Sequence, residues 1–437
     1  MLQPWTRRDR RRRWRVVVAC WAAVALLGVS CGGAGDGDGD GASVAGGEVE
    51  RIGVPPDEAE AVAGSLSAFG WDLYRDLADN DTNLVFSPHS IGVALAMTRA
   101  GAAGETAAQM DDVLHLEAGG DPHASLNGLD LSLEAAEGTK ERPDGLTAEI
   151  VVDVANALWA QEGFGFESPF LQTLGENYGA GVRLVDYVDD HEGAREQINA
   201  WVADQTNDRI EELIARGVLS GLTRLVLTNA VYLNAPWEHP FQEETTAPGL
   251  FVELDGSETM VELMSISESF RYARAADLQA VELPYAGGEL AMLVLVPDQG
   301  MFESTASSID ASAVGAIVDA LEPVQVGLRI PKYEFTTRAS LVPALGALGM
   351  DLAFDADRAD FSAMTTEAAL FISDVVHEAF ISVDEAGTEA AAATAVVMDL
   401  TAAHAEPIDL IVNRPFLFVI RHVETNAILF IGHIVDP

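Results

Sequence analysis

Apolar residues recur at spacings of three and four in Val62, Leu66, Phe69, Leu73 and Leu77, which predicts an amphipathic helix ending near Asn80. Ile198, Val202, Ile210 and Leu213, stopped by Gly217, predict a second helix. The pattern then changes to short apolar runs bounded by Gly, Pro or Asn: Leu225 to Leu233, Leu290 to Val296, Val326 to Ile330, Phe416 to Ile420 and Ile428 to Ile434. Runs this short and continuous predict strands, several of them buried on both faces. Helices early and strands mostly late define an α+β chain.

Composition adds what the chain is not. Its 437 residues are 49% apolar and 22% charged, ordinary for a core-forming protein and unlike a disordered tail or a fibre. Acidic residues outnumber basic ones 69 to 25, so most of the surface repels nucleic acid and anionic membranes. Cys20 and Cys31 are the only cysteines. Both precede the predicted helices, so no disulfide or cysteine-rich metal site holds the body together.

The first residues read as an address. Seven arginines between Arg7 and Arg15 are followed by the apolar stretch Val16 to Ser30, shorter than the roughly 20 residues of a membrane span. Residues 1–31 are therefore expected to be an export signal. Leu27-Gly28-Val29-Ser30-Cys31 resembles a bacterial lipoprotein box, which implies a lipid anchor on Cys31; a plain secretory signal is the alternative. Without residues 1–31 the charge becomes 18 basic against 68 acidic residues, or −50. Residues 32–55, with Gly and Asp alternating from Gly35 to Gly41, are expected to be a flexible linker. From Pro55 onward about 380 residues run without another low-complexity break or an internal repeat, so either two domains meet without a visible linker or one domain is unusually large.

No chemistry declares itself. The chain contains no His-Glu-x-x-His pair, calcium loop, phosphate-cradling Gly-rich loop or Gly-x-Ser-x-Gly elbow, and with 69 carboxylates an adjacent acid pair is expected by chance. No catalytic residue, metal or cofactor is expected. One segment is unusual for what it lacks: from Glu385 to Asn413 there is no lysine or arginine, and Gly387 to Val397 is almost all small. Alanine favours a surface helix capped by Thr388, yet the preceding run Ala379 to Val383 is strand-like, and small or β-branched residues also enter a sheet without steric conflict.

Along residues 57–437 the sequence resembles a serpin. The hinge Glu385-Ala386-Gly387-Thr388-Glu389-Ala390-Ala391-Ala392-Ala393-Thr394 is similar to that of inhibitory members. Five further blocks agree in order: Asn83 to Ile91, Gly101 to Thr106, Leu227 to Leu233 leading to Trp237, Ala359 to Ser362, and Asn413 to Phe418. Asn234-Ala235 departs from the Lys-Gly usual there. The resemblance implies a single domain over residues 56–437, with three sheets, eight or nine helices and an exposed reactive loop, which a serine protease cleaves before the loop inserts into the large sheet and traps the acyl-enzyme. The partner is then a protease, the chain a monomer outside the cell, and a membrane is reached only through a lipid anchor.

The same resemblance assigns roles. Thr388, Ala390, Ala392, Thr394, Val396 and Met398 would turn inward on insertion. Ser87, Ser90, Asn229 and His377 would form a polar cluster where the sheet opens, and Trp237, read as core, would lie beneath its top. Counting fourteen residues from Gly387 puts the cut between Thr401 and Ala402; counting back from Pro415 gives His404, and Met398 and Leu400 also stand in range. With no basic residue in the loop, an elastase-, chymotrypsin- or subtilisin-like target fits better than a trypsin-like one. A non-inhibitory binding protein on the same fold would carry bulky, proline or charged residues at the inward positions. None is present.

Overall fold

The computed structural model describes residues 43–46, 51, 56–79, 81–116, 121–388 and 407–437. In chain order it opens with β1 (Ser43–Ala45), α1 (Pro56–Leu77), β2 (Leu84–Phe86), α2 (Pro88–Arg99), α3 (Gly104–Val113) and α4 (Pro122–Ala135). Next come β3 (Gly138–Glu141), β4 (Thr147–Gln161), α5 (Ser168–Tyr178), β5 (Val182–Val185), α6 (Tyr187–Gln205) and β6 (Leu225–Pro236). Strands then predominate: β7 (Ala247–Val252), β8 (Glu258–Arg274), β9 (Leu278–Pro284) and β10 (Leu290–Pro297), followed by α7 (Phe302–Ser308) and α8 (Ala311–Asp319). The chain finishes with β11 (Glu322–Pro331), β12 (Tyr333–Ser340), α9 (Val342–Ala347), β13 (Asp374–Val383), β14 (Gly387–Thr388), β15 (Ile408–Ile411), β16 (Phe416–His422) and β17 (Ile428–Ile434).

The amphipathic stripe of α1 does what its spacing predicts: Val62, Leu66, Phe69 and Leu73 are all buried. The second predicted helix is shorter than its periodicity. α6 ends at Gln205, where the Thr206 hydroxyl donates to the Val202 carbonyl and accepts from Ile210 N–H, and Asn207 and Asp208 turn into the left-handed region at φ 51° and 61°. Asn and Asp tolerate that conformation better than other side chains. Ile210 and Leu213 therefore leave the helix yet still bury beside Ile198 and Val202.

The large sheet runs in the order β1-β5-β4-β6-β14-β13-β12, with β3 paired to β4. Ser43–Ala45, inside the stretch read as linker, pairs antiparallel with Val182–Val185 at its edge. Three small or β-branched residues suffice for this, and a Cβ on Gly181 would stand 2.6 Å from the Ala45 carbonyl, so the strand comes close because Gly181 lacks a side chain. The remaining strands join in the order β15-β11-β8-β9-β10-β16-β17-β2, with β7 on β8. The seventeen residues of β8 pair first with β7 and later with β9. Two of the three expected sheets thereby share one hydrogen-bonded network, and nine α-helices lie among the described residues.

Three clusters form the core. One lies between the helices α1 to α4 and the lower part of the large sheet, and a second between its upper part and β8, β10 and β16. The third packs α6 against the other face, through Trp159, Tyr187, Trp201 and Val226. This sandwiching explains why Leu225 to Val231 of β6 is buried without alternation.

One buried charge system ties the second network together. Glu282 on β9 accepts from Arg421 Nε at 2.9 Å and from Arg271 Nη1 at 2.7 Å, while Arg421 Nη1 donates to Asn426 Oδ1 at 2.7 Å.

Candidate functional site

The site is a split in the large sheet. β6 and β13 run parallel and pair from Val226 opposite Asp374 to Val231 opposite Ala379. Above that level β14 lies between them, with Thr388 opposite both Ala235 of β6 and Val383 of β13. Gly387 stands opposite Pro236, where a Cβ would come within 2.4 Å of the Ala235 carbonyl oxygen. Only glycine fits this approach. Gly387–Thr388 is thus strand, and Thr388 is buried rather than capping a helix.

The turn that feeds β14 is held from several sides. Asp384 accepts from the backbone N–H of Ala386 at 2.8 Å and of Gly387 at 3.2 Å. Glu385 accepts from Thr246 Oγ1 at 2.6 Å and pairs with Lys332 Nζ at 2.7 Å. Burial pushes its carboxyl up, but Lys332 and Thr246 together bring it below the ordinary range. Trp237 is core, as its sequence implies, and also a contact. It is 2% exposed, and its indole N–H donates to the Asp384 carbonyl at 3.0 Å. Its ring stacks on Tyr285 at 4.6 Å, and the Tyr285 hydroxyl bonds Thr388 Oγ1 at 2.7 Å. Burial raises the Tyr285 pKa, so the hydroxyl keeps its proton.

The polar cluster lies where β6 and β13 still touch. Asn156, Asn229 and His377 form a row across β4, β6 and β13. Asn229 Nδ2 donates to Asn156 Oδ1 at 2.5 Å and also to Ser90 Oγ. His377 Nε2 accepts from Ser87 N–H at 3.3 Å, which leaves Nδ1–H to donate to Asn229 Oδ1 at 2.5 Å. Ser87, the N-cap of α2, accepts from Ser90 N–H at 3.2 Å. Nothing in the sequence singles out Asn156, Tyr285, Lys332 or Thr246, because each joins the site through a pairing with distant chain.

Complete burial pushes the His377 pKa down to about 3, so the imidazole is neutral in the fold. An unfolded histidine takes up a proton near pH 6.5. Between these values the unfolded chain binds the extra proton, so stability is full above about pH 6.5 and falls by up to about 1.4 kcal/mol per unit on acidification toward pH 3. We expect the difference in urea midpoint between the parent and His377→Gln to shrink from pH 7 to pH 5. An unchanged difference would mean that His377 is not held neutral.

Glu385, Gly387 and Thr388 of the hinge are therefore placed. Ala390, Ala391, Ala392, Ala393 and Thr394, the bonds at Met398, Leu400, Thr401, Ala402 and His404, and Cys31 lie outside the described residues. Among the described residues there is no group of side chains able to hold a metal ion.

The opened sheet thus holds a buried two-residue strand, Gly387–Thr388, between β6 and β13. The family model described as Serpin (serine protease inhibitor) matches residues 64–437. An uncharacterised serpin-like protein of Thermococcus kodakarensis is 38% identical over 383 residues, 87% of each chain. The leukocyte elastase inhibitor of Xenopus tropicalis is 32% identical over 387 residues, covering 86% of this chain and all of that protein. The native structure of tengpin, a thermophilic serpin, superposes with a TM-score of 0.77 at 25% identity, covering 91% of this chain and 100% of that one. The chain belongs to the serpin family, whose members are protease inhibitors rather than enzymes.

Proposed function

We propose that this protein is a suicide substrate of an extracellular serine protease. The observation that carries the reading is β14: the first two residues of the loop already occupy the gap between β6 and β13, with Thr388 turned inward. The protease serine attacks the carbonyl of Thr401, the amide to Ala402 breaks, and the new amine leaves while the loop stays as an ester on the serine. The freed strand then extends β14 downward.

Continued in the register of Gly387 opposite Pro236 and Thr388 opposite Val383, this strand brings Thr394 level with both Asn229 and His377. Their mutual hydrogen bond opens to admit it, and a threonine hydroxyl offers both a donor and an acceptor in exchange. About ten ladder hydrogen bonds at roughly 0.5–1.5 kcal/mol net each supply a driving force on the order of 10 kcal/mol. Hydrolysis of the ester must be slower than this insertion.

A loop without lysine or arginine favours an elastase-, chymotrypsin- or subtilisin-like target, and the leader favours a secreted protein, with Cys31 as its lipid anchor. The test is to incubate residues 32–437 with each protease class and with trypsin. An SDS-stable adduct with at least one of the first three, and a released peptide beginning at Ala402, is expected. Clean cleavage by all without an adduct would assign the fold to a non-inhibitory role.

A further inference from the structure

A cavity of about 400 Å³ opens between α2, α4 and β4. Part of its wall is apolar. Val93, Met97, Leu133 and Val152 are buried, while Val154 in the middle of β4 stays 38% exposed. The rest is acidic, with Asp130 and Glu134 of α4, Glu137 just beyond that helix, and Asp153 of β4. A space of this size, lined by apolar side chains and a few convergent polar groups, suits a small organic molecule. Its carboxylates repel an anion.

Most polar groups in the wall already have partners. Asn156 Oδ1 accepts from Ser90 Oγ at 3.0 Å and from Asn229 Nδ2 at 2.5 Å. Arg51, the one arginine or lysine lining the cavity, donates from Nε to Asn127 Oδ1 at 2.8 Å and from Nη2 to Asp130 Oδ2 at 3.3 Å, and pairs with Glu134. His89 is different. It is 3% exposed and its Nε2 bonds Asp130 Oδ1 at 2.9 Å, but its buried Nδ1 has no partner. A carboxylate only accepts, so Nε2 carries the hydrogen and Nδ1 of the neutral ring presents a lone pair. Leaving a buried acceptor unpaired is costly, and a donor on a ligand would remove that cost. Glu137 is a second mismatch. Burial, with Asp153 and Glu134 nearby, pushes its carboxyl up to about 7, so near neutral pH its charge is only half formed.

We infer that this cavity binds a small organic ammonium ion bearing an apolar group, its ammonium set among the carboxylates and the unpaired His89 nitrogen, its apolar part against Val154. An ammonium supplies the donor that His89 lacks and the positive charge that Glu137 lacks. Arg51 shows the same preference from within the chain, since its guanidinium is already held by Asp130 and Glu134. The apolar part covers the valine that the fold leaves exposed. The site is independent of the trapping reading above.

The test titrates the protein with phenethylamine and with its uncharged counterpart phenethyl alcohol, by calorimetry at physiological salt, where the general surface charge is screened. The amine is expected to bind about tenfold more tightly, the scale of one charge-assisted hydrogen bond. Glu137→Gln is expected to remove that preference and leave the alcohol unaffected. Arg51→Ala, which frees Asp130 and Glu134, is expected to tighten the amine. Both positions are partly exposed, so the variants are expected to fold, which their thermal midpoints check. Equal affinity of the parent for the two probes would overturn the ammonium assignment. Parental amine affinity in either variant would put the binding elsewhere on the acidic surface and overturn the site. Absence of binding by both probes would mean that the cavity takes water alone, which also overturns it.

Discussion

Replacing Ala390 with arginine is expected to convert the protein from an inhibitor into a substrate. On the proposed insertion, in the register that Thr388 begins, residue 390 would fall level with Leu233 of β6 and Ile381 of β13. Both are 3% exposed or less and belong to the upper core cluster. Alanine adds a methyl group to that surface without displacing anything. A guanidinium there has no carboxylate to meet, and an unpaired buried charge costs several kcal/mol. Against a driving force on the order of 10 kcal/mol, this need not abolish the final inserted state, but the transition state for passing this level rises and ester hydrolysis then wins. The measurement is the number of inhibitor molecules consumed per protease inactivated, with adduct yield on an SDS gel. We expect consumption to rise at least tenfold while the cleavage rate is unchanged. Stoichiometric inhibition by this variant would refute the register.

Replacing Arg421 with methionine is expected to destabilise the native fold by about 3–5 kcal/mol, the range for removing one member of a buried ion pair. Glu282 and Arg421 are 4% and 3% exposed, on strands separated by β10. Without Arg421, Glu282 keeps Arg271 at 2.7 Å, but that side chain is half-exposed and already shared with the Val318 carbonyl. The double variant Arg421→Met and Glu282→Leu is expected to recover most of the loss, because it removes the stranded charge and restores apolar contact. Urea unfolding midpoints of the three proteins check this. A double variant no more stable than the single one would show that the pair contributes net stability and not only mutual neutralisation.

These two expectations draw on different parts of the sequence. The run of small residues after Glu385, free of lysine and arginine, is visible by inspection, and its resemblance to an inhibitory hinge supplies the alternation of inward positions. Arg421 and Glu282 carry no such signal. Each sits in an apolar run where a charged residue reads as a solvent-facing exception, and only the stacking of β9, β10 and β16 brings them together.

Helix α1 and the main strands were legible because each is coded by residues close in sequence, through a spacing that matches the period of the element. Helix α6 was overextended for the same reason: periodicity registers that Ile210 and Leu213 face the core, which is true, but not that Asn207 and Asp208 reverse the backbone before them. Trp237 shows a similar limit. Its burial follows from its type, whereas its hydrogen bond to Asp384, 147 residues away, does not.

Amino-acid order alone determined the α+β class, the absence of a covalent brace in the body, and a segment of small residues after Glu385. Tertiary structure decided that β6 and β13 part above Ala379 and that Gly387 and Thr388 fill the top of the opening. The physical reason is that strand register depends on which distant edges come into contact. Local composition sets what a segment can become, and the pairing of edges far apart in the chain selects what it is.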